Sequence, residues 1–271
     1  MFKKTAVLAG LGLAVSGAAQ ADYRWQADGA ITGGDFSSIA LGGAFFFEEV
    51  DTDKGPFAEA AFLDRASFVA LAYQDGEINN DGVLDDLETK RWGFDGRYVT
   101  DGGGWILDLG YAREEPDNPL IGGPSSFEID VFNVGVGKYI FENTSIVLSY
   151  QNSDVDEGGD LDSYRADLDH FWKTGSGGLK LELGYGWVDV GDGDDIDIYA
   201  IDATYYFGEH LGIGGFYSVT GQNNDELEQY GAQLSYFITD KVGVNLRYSE
   251  GELEDTDVET DSYLIGVTVR F

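Results

Sequence analysis

The 271-residue sequence contains no cysteine, which excludes a disulfide framework, thiolate metal sites and cysteine-based catalysis. Its four prolines are too few for a hinge-rich architecture, and its two histidines offer little material for a catalytic constellation. No stretch approaches the roughly eighteen consecutive apolar residues of a transmembrane helix. Any part of the chain that spans a membrane must therefore do so as β-strands.

Basic residues are also scarce. The chain has 16 lysines and arginines against 50 aspartates and glutamates, a formal net charge of −34. Such a surface repels nucleic acid, and it repels anionic lipid headgroups unless divalent cations intervene. We therefore expect no nucleic-acid partner and a local accumulation of small cations.

Residues 1–21 have the pattern of a cleaved secretory signal peptide. Lys3 and Lys4 precede a short apolar run over residues 6–15, and Ala19-Gln20-Ala21 supplies the small-residue cleavage site. The mature chain would begin at Asp22 with 14 basic and 50 acidic residues, a net charge of about −36. No linker interrupts residues 22–271, so we predict a single domain there.

From Asp22 onward the polarity alternates over segments of about ten residues, as in the strands of membrane barrels. In residues 179–187, leucines and aromatic residues at odd positions alternate with Lys180, Glu182 and glycines. Residues 105–111 and 242–249 follow the same rule, with charges on one side only. The pattern predicts an all-β chain of fourteen strands, within a range of twelve to sixteen, and each strand has one face suited to lipid and one suited to water. The third strand is expected over 58–74.

The connections between these segments alternate in length. Short turns are expected at 100–103, 141–143, 175–177, 208–210 and 239–241, and long acidic loops at 75–88, 113–125, 153–161, 220–226 and 250–258. Short periplasmic turns and long extracellular loops are typical of outer-membrane barrels. Residues 51–65 break the rule, because they form a long connection on the short-turn side, with Gly55-Pro56 before a helix-compatible stretch.

The C-terminal strand carries a resemblance to a known family. Its apolar residues alternate with small or polar ones, apart from Leu264; they are Tyr263, Ile265, Val267, Val269 and Phe271. This pattern resembles the last strand of bacterial outer-membrane β-barrels, which is read by the barrel-assembly machinery, so Phe271 is the implied assembly signal. With the signal peptide and the run Gly-Pro-Phe-Ala-Glu-Ala-Ala-Phe-Leu at 55–63, the mature chain resembles the general bacterial porin family of Gram-negative bacteria.

The resemblance implies a transmembrane antiparallel β-barrel in the outer membrane, surrounded by lipid and lipopolysaccharide. It implies a passive diffusion channel for small hydrophilic solutes, not an enzyme, and leaves open whether the barrel is a monomer or a trimer. Two alternatives remain: a closed-lumen structural or adhesive barrel, and a barrel-anchored hydrolase. The hydrolase would involve His170, because some outer-membrane phospholipases carry a Ser-His pair on the outer wall. The alternation places His170 on the lipid side beside Trp172, where an interfacial residue is also expected.

Residues 113–125 hold three of the four prolines and join the fifth and sixth strands, where general porins place the loop that narrows the pore. The loop either enters the barrel or stays outside. If it enters, Glu114, Glu115 and Asp117 would face basic wall residues and set a transverse field. The predicted pore-lining wall residues are Arg91, Arg97, Asp108, Arg165, Asp167, Glu182, Asp202 and Arg247, with Asp95, Asp169, Lys180 and Arg270 also inward. Because inward acids are at least as numerous as inward bases, we expect cation selectivity.

Residues 77–88 follow the spacing of a calcium-binding loop. Oxygen ligands fall at the first, third, fifth, ninth and twelfth positions, which are Glu77, Asn79, Asp81, Asp85 and Glu88, and glycine occupies the sixth. Glutamate replaces the usual aspartate at the first position, and no flanking helices are expected. The segment is therefore either an extracellular calcium site or a solvated acidic loop.

Overall fold

Antiparallel pairing between consecutive strands continues around the whole described chain, and the first strand pairs with the last. The computed structural model describes residues 23–78, 87–117, 128–156, 159–189, 195–222, 225–253 and 259–271. Closure removes both sheet edges, so every wall strand has a partner on each side. The predicted fourteen-stranded transmembrane-type barrel is confirmed.

The strands are long and similar in length. Their bounds are β1 Tyr23–Gly34, β2 Phe36–Val50, β3 Phe68–Ile78, β4 Leu87–Val99, β5 Trp105–Asp117, β6 Ile129–Phe141, β7 Thr144–Val155, β8 Gly159–Thr174, β9 Gly177–Asp189, β10 Ile196–Phe207, β11 Leu211–Gln222, β12 Asp225–Thr239, β13 Val242–Leu253 and β14 Glu259–Arg270. Tight turns follow β4, β6, β8, β10 and β12, as the sequence predicts. They lie at the same end as Tyr23 and Phe271, which we call the turn end; the opposite end is the loop end.

The outer face is apolar and arranged in bands. Aliphatic side chains form the middle band: Leu41, Leu71, Leu107, Val136, Leu148, Leu183, Ile201, Ile213, Leu246, Ile265 and Val267. Exposed aromatic residues flank it, with Trp25, Phe47, Tyr98, Trp105, Phe141, Trp172, Tyr205, Phe207, Tyr236 and Phe271 towards the turn end, and Tyr73, Trp92, Tyr150, Tyr164, Tyr185, Trp187, Tyr199, Tyr217, Tyr230, Tyr248 and Tyr263 towards the loop end. Two aromatic girdles around an aliphatic band match the two interfaces of a bilayer.

One predicted strand start is wrong. The third strand was expected over 58–74, but β3 begins at Phe68, and the preceding residues turn inside the barrel. A 3-10 helix over Phe57–Glu59 and the short helix α1 (Ala60–Leu63) follow Pro56. We call residues 51–67 the inner segment. Within the described residues, no helix is long and apolar enough to cross a membrane.

In strand β6, Asp130 shares a face with Phe132, and a charged residue on an apolar face predicts a bulge or register change. Pairing with β7 is regular from Ile129 to Tyr139, and its register shifts only near the turn end, between Tyr139 and Phe141. Asp130 therefore remains on the outer face near the loop end. Arg113 donates to both Asp130 carboxylate oxygens at 2.9 Å, so the two charges compensate each other there.

The seam between β1 and β14 generates a prediction about Phe271. Its N–H donates to the Trp25 carbonyl at 3.0 Å, and its carbonyl accepts from the N–H groups of Trp25 and Arg24 at 2.9 and 3.3 Å. Deleting Phe271 should lower the free energy of unfolding by about 2 to 3 kcal/mol, at about 1 kcal/mol for each hydrogen bond lost. The temperature at which the folded band disappears on a gel should fall accordingly.

Phe271→Leu is the matched control, because it keeps the backbone bonds and an apolar side chain. Equal heat resistance of the deletion variant and this control would contradict the importance of the terminal bonds.

Candidate functional site: the lumen and its inner segment

The lumen has an apolar zone at the turn end. Inward side chains of most strands are buried and apolar there; they include Tyr23, Phe46, Ala70, Val99, Ile106, Tyr139, Val147, Phe171, Tyr206 and Phe237. Exposing apolar side chains to water is unfavourable, so an apolar inner wall is expected only where another part of the chain covers it. The inner segment covers it.

Glycines let the larger rings lie flat against the wall. A Cβ built on Gly212 would meet the Tyr206 ring at 2.6 Å, and one on Gly243 would meet the Phe237 ring at 2.5 Å. Each ring therefore occupies the space that a side chain on the next strand would take. This arrangement leaves room in the centre for the inner segment.

The inner segment packs into this zone through its apolar side chains. The Phe57 ring meets the rings of His210 and Phe237 edge-on, at centroid distances of 4.7 and 6.1 Å. Ala60 is buried with residues of β1 to β3, and Leu63 packs on Phe171 and Tyr206. The segment thus contacts β1 to β3 on one side of the lumen and strands from β8 to β12 on the other.

A buried ion pair ties the centre of the segment to the wall. Lys180 of β9 donates to Glu59 Oε2 at 2.9 Å, and the Tyr206 hydroxyl donates to Oε1 at 2.6 Å. Glu59, Lys180 and Tyr206 are only 8%, 7% and 6% exposed. Lys180 also contacts Glu182 at 2.8 Å and lies 4.5 Å above the Phe62 ring. Both oxygens of the buried carboxylate are therefore satisfied.

Backbone contacts fix the two flanks of the segment. Lys173 Nζ donates to the Lys54 carbonyl at 2.6 Å, and the Phe57 N–H donates to the Glu209 carbonyl at 3.0 Å. Arg65 donates to the Glu142 carbonyl at 3.0 Å and stacks over the Tyr139 ring. The partners lie in or next to the turns after β6, β8 and β10, so the segment spans the turn end of the lumen.

Charged side chains line the inner wall above the apolar zone, and several of them have a charged or polar partner. Arg97 donates to both oxygens of Asp108 at 2.8 and 2.7 Å, and Arg165 donates to Asp167 at 2.6 Å. Gln233 donates to both oxygens of Asp202 at 2.8 Å. These predicted wall residues lie on the inner face, where Arg97 and Arg165 each neutralise one aspartate while Asp202 has a neutral partner.

Two inward arginines use aromatic rings. The Arg247 guanidinium lies 3.7 Å from the Phe216 centroid. Arg270 is 1% exposed, lies between the rings of Tyr23 and Phe237, and donates from Nε to Gln26 at 2.8 Å. Its two Nη atoms have no hydrogen-bond partner within the described chain. Ring faces stabilise a cation without a counter-charge.

The predicted acidic constriction at 113–125 is only partly described. Residues 113–117 belong to β5 in the wall, so they do not form a loop that enters the lumen. Glu114 faces inward and accepts from Thr89 at 3.2 Å, whereas the alternation of β5 places Glu115 outside; its assignment to the pore was wrong. Residues 118–127 and the Asp117 side chain lie outside the described part.

The predicted calcium-binding loop also lies largely outside the described part of the chain. Residues 79–86, with Asn79, Asp81 and Asp85, are not described, while Glu77 and Glu88 pair across β3 and β4. No cluster of three metal-binding side chains occurs among the residues the structure does describe. Calcium binding by this segment stays a prediction.

The histidines occupy the turn end. His170 Nδ1 is 2.6 Å from Thr144 Oγ1, and its ring lies 4.0 Å from that of Trp172. Thr144 is buried, so its hydroxyl is poorly placed to attack a substrate. His210 Nδ1 is 2.7 Å from the Phe237 carbonyl and lies beneath Phe57.

Sequence reasoning missed the inner segment's docking site, although a signal for it exists. Near the turn end, strands are apolar on both faces, as in Phe45-Phe46-Phe47, Tyr139-Ile140-Phe141, Tyr205-Tyr206-Phe207 and Tyr236-Phe237-Ile238. One face contacts lipid, so the other needs an apolar partner inside the barrel. The unusual connection at 51–65 is the segment that supplies it.

The structure is similar to several solved outer-membrane proteins. Omp33 of Acinetobacter baumannii matches with a TM-score of 0.63 and 19% identity, over 92% of this chain and 99% of that chain. The CymD monoaromatic hydrocarbon channel matches with a TM-score of 0.58 and 12% identity, over 93% of this chain and 89% of that chain. A mutant of the TodX monoaromatic hydrocarbon channel matches with a TM-score of 0.55 and 11% identity, over 93% of this chain and 90% of that chain. No family model matches the chain, and no curated protein matches it in sequence.

At sequence identities between 11% and 19%, this structural similarity establishes the fold of the chain and nothing further. The chain has the closed barrel fold of outer-membrane porins and channels, which agrees with the resemblance seen in its sequence.

The buried ion pair generates a stability prediction. Glu59→Ala leaves Lys180 with Glu182 alone and removes the acceptor of the Tyr206 hydroxyl. Unfolding by urea should show a loss of about 3 kcal/mol, the lower end of the range for a broken buried pair. The double variant with Lys180→Ala should lose less than the sum of the two single changes.

Glu59→Gln is the conservative control, because it keeps an oxygen acceptor and the side-chain volume. A loss within about 0.5 kcal/mol for Glu59→Ala, as for ordinary surface changes, would show that the ion pair does not hold the segment.

Proposed function

We propose that the protein is an outer-membrane channel for passive diffusion of small hydrophilic solutes. The observation that carries the proposal is a closed barrel whose outer face is banded for a bilayer while its inner wall above the turn end is polar and charged. Such a wall favours water and hydrated solutes over lipid. The similar fold of known channels supports the same role.

In this proposal the turn end faces the periplasm and the loop end faces the outside. The inner segment then limits permeation, because it spans the periplasmic end of the lumen. Solutes pass beside it or during its displacement. The protein performs no chemical step, and residues 1–21 direct its export.

We further propose that small cations pass more readily than anions. The inward charges predicted from the sequence comprise six acids and six bases, some of them joined in ion pairs such as Arg97–Asp108 and Arg165–Asp167, and so contribute little net field. The acidic excess of the whole chain therefore dominates at the mouths.

A closed structural barrel is the second candidate, and the tightly packed inner segment favours it. Phe57, Ala60 and Glu59 are all buried against the wall. If the segment never moves, the lumen is a pocket with one opening and does not conduct.

Removing the inner segment separates the two functions. Replacing residues 52–66 with Asn-Gly leaves a six-residue connection between the paired residues Phe47 and Ser67, and it should raise single-channel conductance in a planar bilayer several-fold over the native barrel. Glu59→Ala should also raise the single-channel conductance, but by a smaller factor. Glu115→Gln, on the outer face, is the control and should leave conductance unchanged.

A silent native barrel together with a conducting truncated one would support the structural role. Conductance that does not change on truncation would show that the restriction lies elsewhere.

Ion selectivity is tested by the reversal potential in an asymmetric potassium chloride gradient. Its sign should correspond to potassium permeation, and the preference should weaken as salt rises, because exposed charges are screened beyond about 8–10 Å at physiological salt. An anion-selective sign at low salt would instead assign the filter to the inward arginines.

A further inference from the structure

A small cavity opens from the lumen at mid-height of the wall formed by β3 to β7. Its volume is about 220 Å³, and its lining includes Arg91, Asp95, Asn133 and Gln151 beside the small residues Ala72, Gly93, Gly110 and Ala112. By the alternation of their strands these side chains face inward. The small residues leave the space, and the polar residues surround it.

Arg91 and Asp95 differ from the ion-paired residues of the wall. Arg97, Arg165 and Lys180 each contact a carboxylate, whereas within the described chain neither Arg91 nor Asp95 makes a hydrogen bond or ion pair. Asp95 is exposed to the lumen and Arg91 is half-buried. A guanidinium and a carboxylate are therefore both available to a solute.

The backbone sets the spacing of these two groups. They lie four residues apart on one face of β4, about 13 Å along the strand between Cα atoms. Gly93 lies between them without a side chain, and the Asp95 carboxylate leans over Gly110 on the next strand, where an added Cβ would lie 2.6 Å from Oδ1. Gly93 itself packs closely on β5, where an added Cβ would lie 2.7 Å from the Tyr111 carbonyl oxygen, and the space available to a ligand is the cavity that Arg91 and Asp95 both line.

The charges select the chemistry of that ligand. A solute with only a negative charge is repelled by Asp95, and one with only a positive charge is repelled by Arg91. An uncharged solute leaves both side-chain charges without a partner. A zwitterion places its carboxylate on Arg91 and its ammonium on Asp95, with charge-assisted hydrogen bonds to each. At about 30 Å³ per water molecule the cavity holds roughly seven water-sized groups, enough for an amino acid of about six heavy atoms.

We propose that this cavity is a binding site for small zwitterionic solutes of the α-amino-acid type. Its role in permeation rests on the proposed channel function, but binding itself does not. Affinity should be weak, around the millimolar range, because a solute that permeates must also leave.

Calorimetry on the full chain folded in detergent tests binding directly. L-Alanine should bind saturably, and propionamide, propionate and ethylammonium should each bind about tenfold more weakly or not at all. Arg91→Gln and Asp95→Asn should each weaken alanine binding about tenfold. Lys90→Gln is the matched control, since it removes one positive charge from the adjacent position on the outer face, and it should bind alanine as the native chain does.

Equal affinity for alanine and propionamide, or unchanged alanine binding in Arg91→Gln, would overturn the proposal. Liposome swelling then addresses transport separately. Alanine binding with no solute flux, even after truncation of the inner segment, supports the site and refutes the channel. Flux without discrimination between alanine and propionamide, in the absence of binding, refutes the site and supports the channel.

Discussion

The structure depends on the width that fourteen strands impose. Eight strands enclose a space that their own side chains fill, and sixteen leave an aqueous channel. At fourteen, the inner face needs either water or another part of the chain. This barrel uses both: the inner segment fills the apolar turn end, whereas paired charges line the rest. Within the described chain, the connection between β2 and β3 therefore fills the turn end of the lumen, which the strand number alone would leave open.

The buried ion pair gives that connection a defined position. Apolar contacts of Phe57 and Leu63 would stabilise many similar placements, because hydrophobic burial has little directionality. Glu59 must meet both Lys180 and Tyr206, and only one placement satisfies its two oxygens. Replacing such a pair by apolar residues is often neutral or stabilising, so its contribution is better understood as fixing register. The pair also lies where the apolar zone meets the charged wall, so water from the lumen needs to advance only a short way to hydrate it.

Sequence alternation was enough to predict the barrel, its strand number and its short turns, because a wall between lipid and water repeats every two residues. It failed where that rule does not apply. Residues 58–67 were assigned to a strand because Ala60, Ala61 and Phe62 fit either secondary structure locally; only docking into the lumen makes them helical. Likewise, Pro116 suggested a loop, yet β5 tolerates it at the loop end, where a strand can lose one ladder bond. The pairing of Arg97 with Asp108 depends on the register of β4 with β5, which sequence periodicity does not specify.

The distribution of charge separates two kinds of discrimination. In the proposed channel, inward acids and bases balance in number, so the field that a passing ion would meet comes chiefly from the acidic excess of the chain as a whole. That field is long-ranged and depends on sign, and it cannot distinguish between solutes of zero net charge. In the proposed binding site, Arg91 and Asp95 would act over contact distances, and because their charges are opposite they add no net charge to the lumen. A wall of this kind can favour one neutral solute over another without changing which ions the barrel prefers.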